Sequence, residues 1–194
     1  MQLLRIFSYD AYKGGRGYLK SQRYYEIART VLYFGISIAL FVGGWLATGS
    51  RLNLLTVVAV LGCLPASKSA VSMIMYLRFS GCSEDSAKVI AEQIGELQGL
   101  YDCIFTSYEK NFSVAHMVVK GDTICGFTED KKFEEQAFYK HLDGILKAEN
   151  YKTTSLKIFT DPKKYLERLE QLKVLEADES HTEGIIATIK SVTL

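Results

Sequence analysis

Between Thr30 and Ser50 the chain runs for twenty-one residues, TVLYFGISIALFVGGWLATGS, without a charge, and Arg51 alone separates this run from a second one. An α-helix rises about 1.5 Å per residue, so ~20 residues cross a hydrocarbon core of about 30 Å. Length and lack of charge together predict a membrane-spanning helix. The core helix of a water-soluble domain is usually shorter and keeps a polar stripe. The second run, Leu52–Ser67, is uncharged for sixteen residues, meets Lys68, and continues apolar to Leu77. Sixteen is short for a span, so this helix is expected to extend past Lys68, whose amine would snorkel to the headgroups. Pro65 removes one backbone hydrogen bond and is expected to kink the helix near its exit. Residues 30–78 thus predict a two-helix transmembrane hairpin that turns at Thr48-Gly49-Ser50-Arg51.

Small residues recur at every fourth position, Gly35, Ala39, Gly43 and Ala47 in the first helix and Gly62, Ala66 and Ala70 in the second. That spacing keeps each set on one face, where missing side chains let helices approach closely. The two ribbons are expected to pack the hairpin, and one of them could also join copies of the chain as a homo-oligomer. No polar group mid-span suggests an ion pathway or a proton relay.

Charge divides the chain at the same place. Residues 1–79 hold nine Lys/Arg against Asp10 and Glu26, a net +7, whereas residues 80–194 hold 14 Lys/Arg against 20 Asp/Glu, a net −6. Six of the positives precede the first span and only Arg51 lies in the turn. The positive-inside rule therefore predicts a two-span protein of the cell membrane with both termini cytoplasmic. A signal peptide would begin its apolar region earlier and end it at a small-residue cleavage site, so the first helix is expected to be retained. Cys63, Cys82, Cys103 and Cys125 show neither CxxC nor zinc-site spacing, and no cofactor is expected. Reduced, buried thiols are the expectation for a cytoplasmic domain.

Three regions follow in order. Residues 1–29 form a basic, tyrosine-rich juxtamembrane segment (Tyr9, Tyr12, Tyr18, Tyr24, Tyr25), expected to lie at the headgroups of the lipid bilayer and to turn helical from Tyr18. Its Gly14-Gly15-Arg16-Gly17 loop lacks the strand and the GK[ST] ending of a phosphate-binding loop. Residues 30–78 are the hairpin. Residues 80–194 read as a small α+β cytoplasmic domain in the order helix, three-strand antiparallel meander, helix, strand, helix. Ser83 as N-cap and apolar residues from Ala87 to Tyr101 predict a helix over Ser83–Leu100. Strands are expected at Cys103–Tyr108, Phe112–Lys120 and Thr123–Thr128, with turns at Glu109-Lys110-Asn111 and Gly121-Asp122. A helix over Lys132–Glu149 would present Phe138, Leu142, Ile145 and Leu146 on one face, and Ser155–Thr160 reads as the fourth strand. Asp161-Pro162 then starts a helix carrying Tyr165, Leu166, Leu169 and Leu172. Gly184–Leu194 is β-branched and apolar, compatible with helix or strand.

This element order over residues ~83–172 resembles the core of the PD-(D/E)xK nuclease superfamily, with Glu129-Asp130-Lys131 supplying an E-x-K at the end of the third strand. The resemblance implies a metal-dependent hydrolase in which Glu129 and Lys131, with Glu92 or Glu96 from the helix, hold a divalent cation and activate water. The second strand, Val114-Ala115-His116-Met117-Val118, lacks the carboxylate that such a site needs, so a degenerate version of the fold is the form this alternative takes. A net charge near −6 also repels nucleic acid as a partner. His116, expected on one strand face with Val114 and Val118, has no carboxylate placed to orient it as a general base. The primary expectation is a membrane-anchored, non-enzymatic interaction or scaffold protein whose domain meets a protein partner or small ligand near the membrane.

Overall fold

The computed structural model describes residues 13–108, 110–151 and 155–194. Tyr9 and Tyr12, expected at the headgroups, and Glu109 of the first expected turn lie outside the described residues. The chain separates into two compact units, Leu19–Phe79 and Ser80–Leu194, the second also taking in residues 13–18.

The first unit is a pair of helices, α1 (Tyr18–Thr48) and α2 (Leu54–Arg78). Both are long and apolar enough to cross a membrane, and only 17% of the most apolar stretch of each is buried. Outward-facing Leu46, Val60, Leu61 and Leu64 are all more than half exposed. Asn53 caps α2 by accepting a 2.8 Å bond from the Thr56 amide, and the helix runs on through Pro65.

Contacts between the two helices step by seven residues down both. A Cβ on Gly44 would lie 2.8 Å from Leu55 Cβ, and one on Gly62 would lie 2.8 Å from Ser37 Oγ. Thr30 Oγ1 and Ser69 Oγ share a 2.8 Å hydrogen bond, and Arg23 Nε donates to the Tyr76 carbonyl at 3.3 Å. A seven-residue contact period is 3.5 per turn, the spacing of a left-handed antiparallel pair. Of the two expected ribbons, that of α2 touches this seam, with Gly62 against Ser37, Ala66 fully buried and Ala70 half-buried. Gly35, Ala39, Gly43 and Ala47 do not, and all four are exposed. On the α1 side the seam runs instead through Thr30, Ser37 and Gly44, none of which belongs to the ribbon.

The second unit begins with α3 (Glu84–Gln93) and continues through β1 (Gly99–Thr106), β2 (Asn111–Lys120), β3 (Thr123–Phe127), α4 (Glu135–Ala148) and β4 (Ser155–Phe159). It ends with α5 (Pro162–Val174), a 3₁₀ turn (Glu179–His181) and α6 (Thr182–Val192). The Gly184–Leu194 stretch is therefore mostly helix. α3 stops earlier than its apolar spacing suggested, because Gly95 follows the cap residue Ile94 with φ +60 and ends the helix in a left-handed turn. Leu100 and Tyr101, which continued the helical pattern, belong to β1.

The strands lie in the order β1-β2-β3-β4. β1 to β3 form the expected antiparallel meander, with Leu100 opposite Met117 and Val118 opposite Cys125. The sheet as a whole is mixed and four-stranded, because β4 pairs parallel to β3, Ile124 beside Leu156. A parallel neighbour requires a crossover, and α4 supplies it between β3 and β4. Helices cover both faces. Phe138, Leu142 and Leu146 of α4 and Ile185 and Ile189 of α6 pack on Phe105, Phe112, Met117 and Ile124. Ile90 of α3 and Tyr165, Leu169 and Leu172 of α5 pack on Val118, Cys125 and Phe127. Burial on both faces explains why β3 has no exposed position.

The outer edge of β1 is covered by the two ends of the described chain. Tyr101 N donates to the Gly14 carbonyl at 2.7 Å, so the glycine-rich loop serves as an edge cover. Leu194 N donates to the Ile104 carbonyl at 3.0 Å, and Lys13 Nζ donates to the Thr193 carbonyl. An edge so covered is withdrawn from pairing with other chains.

Candidate functional site

Glu129 follows β3 and turns its carboxylate to the start of α3. Its Oε1 accepts from Ser83 N at 3.2 Å and from Ser83 Oγ at 2.7 Å, while Ser83 Oγ accepts from Ser86 N. An anion beside unpaired first-turn amides is stabilising, so Glu129 supports the helix start. Glu92 lies at the other end of α3, nine residues on and therefore about 13 Å along the axis. Glu96 lies beyond that end in the loop to β1, and Lys131 is exposed in the turn after β3. The structure thus connects Glu129 to Ser83 and holds Glu92 at the far end of the helix. Among the described residues no group of three or more His, Cys, Asp or Glu could hold a metal ion.

His116 is fully buried on the α3/α5 side of the sheet. Its Nδ1 lies 2.6 Å from the Tyr165 hydroxyl, and its ring stacks obliquely on Tyr101 with centroids 4.3 Å apart. It shares this face with Val118, whereas Val114 packs on the α4/α6 side, contrary to the simple alternation expected along β2. The cause lies across the ladder. Asp102 takes φ +56 in the middle of β1, and both strands change face there without losing register. Asp102 is buried, and its Oδ1 accepts from Cys82 N at 2.7 Å, which fixes the chain entering the domain. Burial lowers the His116 pKa to about 3, so the ring is neutral at physiological pH. It reaches neither solvent nor a carboxylate and serves as core.

The domain's three thiols are equally quiet. All four cysteines are free. Burial, with Glu129 and Asp102 nearby, pushes Cys82 up to about 12, and burial beside Asp102 does the same to Cys103. Burial raises Cys125 as well. A thiolate nucleophile needs the opposite shift.

An open cleft of about 430 Å³ lies where the α3–β1 loop, the end of β2, α5 and the start of α6 converge. Glu96 lines it with Gln98, Lys120, Lys173, Glu179 and Thr182. Lys120 Nζ donates to the Lys173 carbonyl at 3.2 Å, and Lys173 Nζ pairs with Glu170 at 2.7 Å. Two lysines and two glutamates leave the cleft without a dominant charge, suited to a polar contact rather than to a strongly anionic ligand. Only Glu96 of this set was a candidate from the sequence. The others come from segments far apart in the chain, and no local pattern joins them.

No family model matches the chain, and neither does any curated protein or solved structure.

Proposed function

We propose that the chain is a membrane-anchored, non-enzymatic interaction module. In this reading α1 and α2 span the cell membrane twice, both termini are cytoplasmic, and the α+β domain engages a protein partner or small ligand close to the bilayer. The observation that carries it is the inverted polarity of the hairpin. Thr30, Ser37 and Ser69 are buried where the helices meet, while Leu, Val and Ile side chains cover the outside. Polar residues inside and apolar ones outside suit lipid as the solvent. In the domain, the attachment of Glu129 to Ser83 and the enclosure of His116 favour binding over hydrolysis. The exposed Gly35-Ala39-Gly43-Ala47 face is the surface through which a second copy would pack.

Topology and association test the reading separately. A cysteine at Ser50 should react with an impermeant thiol reagent added outside intact cells, and one at Ser180 should not; the reverse pattern would invert the orientation. Purification from mild detergent should recover a dimer or a stable partner. Recovery of a monomer alone would remove the scaffold role.

A further inference from the structure

The seven-residue register fixes which parts of the two helices lie at the same depth. Thr30 is level with Ser69, Ser37 with Gly62, and Gly44 with Leu55. The two charge-free windows, residues 30–50 of the first run and 52–67 of the second, therefore coincide along the hairpin axis. Arg29 and Lys68 close the same end of both windows, and Arg51 closes the other, stacked 5.4 Å from the Trp45 ring centroid. From residue 30 to residue 48 the helix rises about 28 Å, close to the ~30 Å of a hydrocarbon core.

Past that level the seam becomes polar on the α1 side. Arg29 Nη2 pairs with Glu26 at 2.8 Å, Arg29 Nε donates to Ser69 Oγ at 3.2 Å, and Arg23 Nη2 donates to the Phe79 carbonyl at 2.6 Å. If α2 were in hydrocarbon as far as Leu77, these α1 charges would be carried into it as well, at a cost of several kcal/mol.

Resting on the membrane reading above, we propose that the hydrocarbon boundary crosses the hairpin at Arg29 and Lys68. The segment of α2 beyond Lys68 then contacts the phospholipid headgroup layer, not acyl chains. The second span is the short one, Leu52 to about Ser67, and it needs no extension, because its partner helix sets the thickness. Lys68 sits at the headgroup phosphates directly, and the about 15 Å of α2 past it stands in the interfacial layer and the water beyond. Exposed Val71 and Ile74 are the residues whose surroundings this reassigns.

The test uses the full chain in phosphatidylcholine/phosphatidylglycerol vesicles with N-ethylmaleimide, which crosses membranes but reacts only with thiolate in contact with water. The native background is quiet, since Cys82 and Cys103 are shifted to about 12, Cys125 is buried, and exposed Cys63 lies inside the window, five residues from Lys68. Cysteines are placed singly at Leu64 and at Ile74, both on the outside of α2. Ile74→Cys should react at least about tenfold faster than Leu64→Cys. Equal, slow labelling of the two would overturn the boundary and extend the span to Leu77. Fast labelling of Leu64→Cys and native Cys63 would overturn the membrane reading itself.

Discussion

The two units of this protein differ in what they leave exposed and in how polar their buried sets are. In the domain Phe105, Phe138, Leu142, Tyr165 and Ile185 have essentially no exposure, and charged side chains occupy the helix exteriors. In the hairpin the buried set mixes Leu19, Ala59, Ala66 and Tyr76 with Gln22, Glu26, Thr30, Ser37 and Ser69, and most of the Val, Leu and Ile side chains are exposed. The domain thus packs large apolar side chains on one another, and the hairpin seam brings small residues and hydrogen-bonding groups together. The comparison locates the stabilising interactions of each unit, and substitutions can break it.

The largest contrast is between a buried aromatic of the domain and an exposed leucine of the hairpin. Phe138 meets the rings of Phe105, Phe112 and Phe133 at 5.1, 5.4 and 5.3 Å. Phe138→Ala should destabilise the domain by about 3–5 kcal/mol, read by pulse proteolysis of the full chain across a urea series. Leu61, 59% exposed, should cost less than about 0.5 kcal/mol when changed to Ala in the same assay. If Leu61→Ala proves comparably damaging, the outside of the hairpin is a packed surface and the contrast fails.

A smaller effect separates the units by pH. His116 is neutral in the fold, with its pKa lowered by burial from 6.5 to about 3. Between those values the unfolded chain binds a proton that the folded chain does not, so stability falls as pH falls and is fully present above 6.5. From pH 7 to pH 5 the domain should lose about 2 kcal/mol through this residue alone. The hairpin carries no histidine and should not share that slope. Denaturation of the domain at the two pH values checks this. A slope that persists in His116→Gln would assign the effect elsewhere.

Legibility in the sequence followed the same division. Long uncharged runs, the Asp161-Pro162 helix start and the Phe138/Leu142/Leu146 face are local signals, and each element formed where they pointed. What was not legible depended on partners distant in sequence. The parallel joining of β4 to β3 depends on how α4 packs, not on the residues of β4. The early end of α3 rests on one glycine at positive φ, set against an apolar spacing that looked helical up to Tyr101. The face of His116 is decided by Asp102 across the ladder, and the cleft gathers residues as separated as Glu96 and Thr182. In the hairpin the four-residue ribbon of glycine and alanine was the conspicuous pattern. The seven-residue seam of Thr30, Ser37 and Gly44 is sparser, and it becomes visible only once α2 lies against it.

The seam also gives the smallest and most discriminating prediction. Ser69 is 1% exposed, and its hydroxyl serves both Thr30 Oγ1 at 2.8 Å and Arg29 Nε at 3.2 Å. Ser69→Ala removes no packing volume of consequence but leaves those two groups to find other partners. In water a stranded buried donor costs about 1–3 kcal/mol, whereas interhelical hydrogen bonds within membranes average about 0.6 kcal/mol. The expected loss therefore depends on what surrounds this level of the hairpin. A helix pair ending its hydrocarbon at Arg29 lets water or headgroups satisfy the guanidinium, which keeps the cost near the lower figure. Steric-trap unfolding of α1 from α2 in bilayers would read the difference. A loss well above about 2 kcal/mol would mean the Arg29–Ser69 contact is sealed from any substitute donor or acceptor. The polar seam would then be a buried core in its own right, and the two halves of the molecule would differ in composition but not in kind.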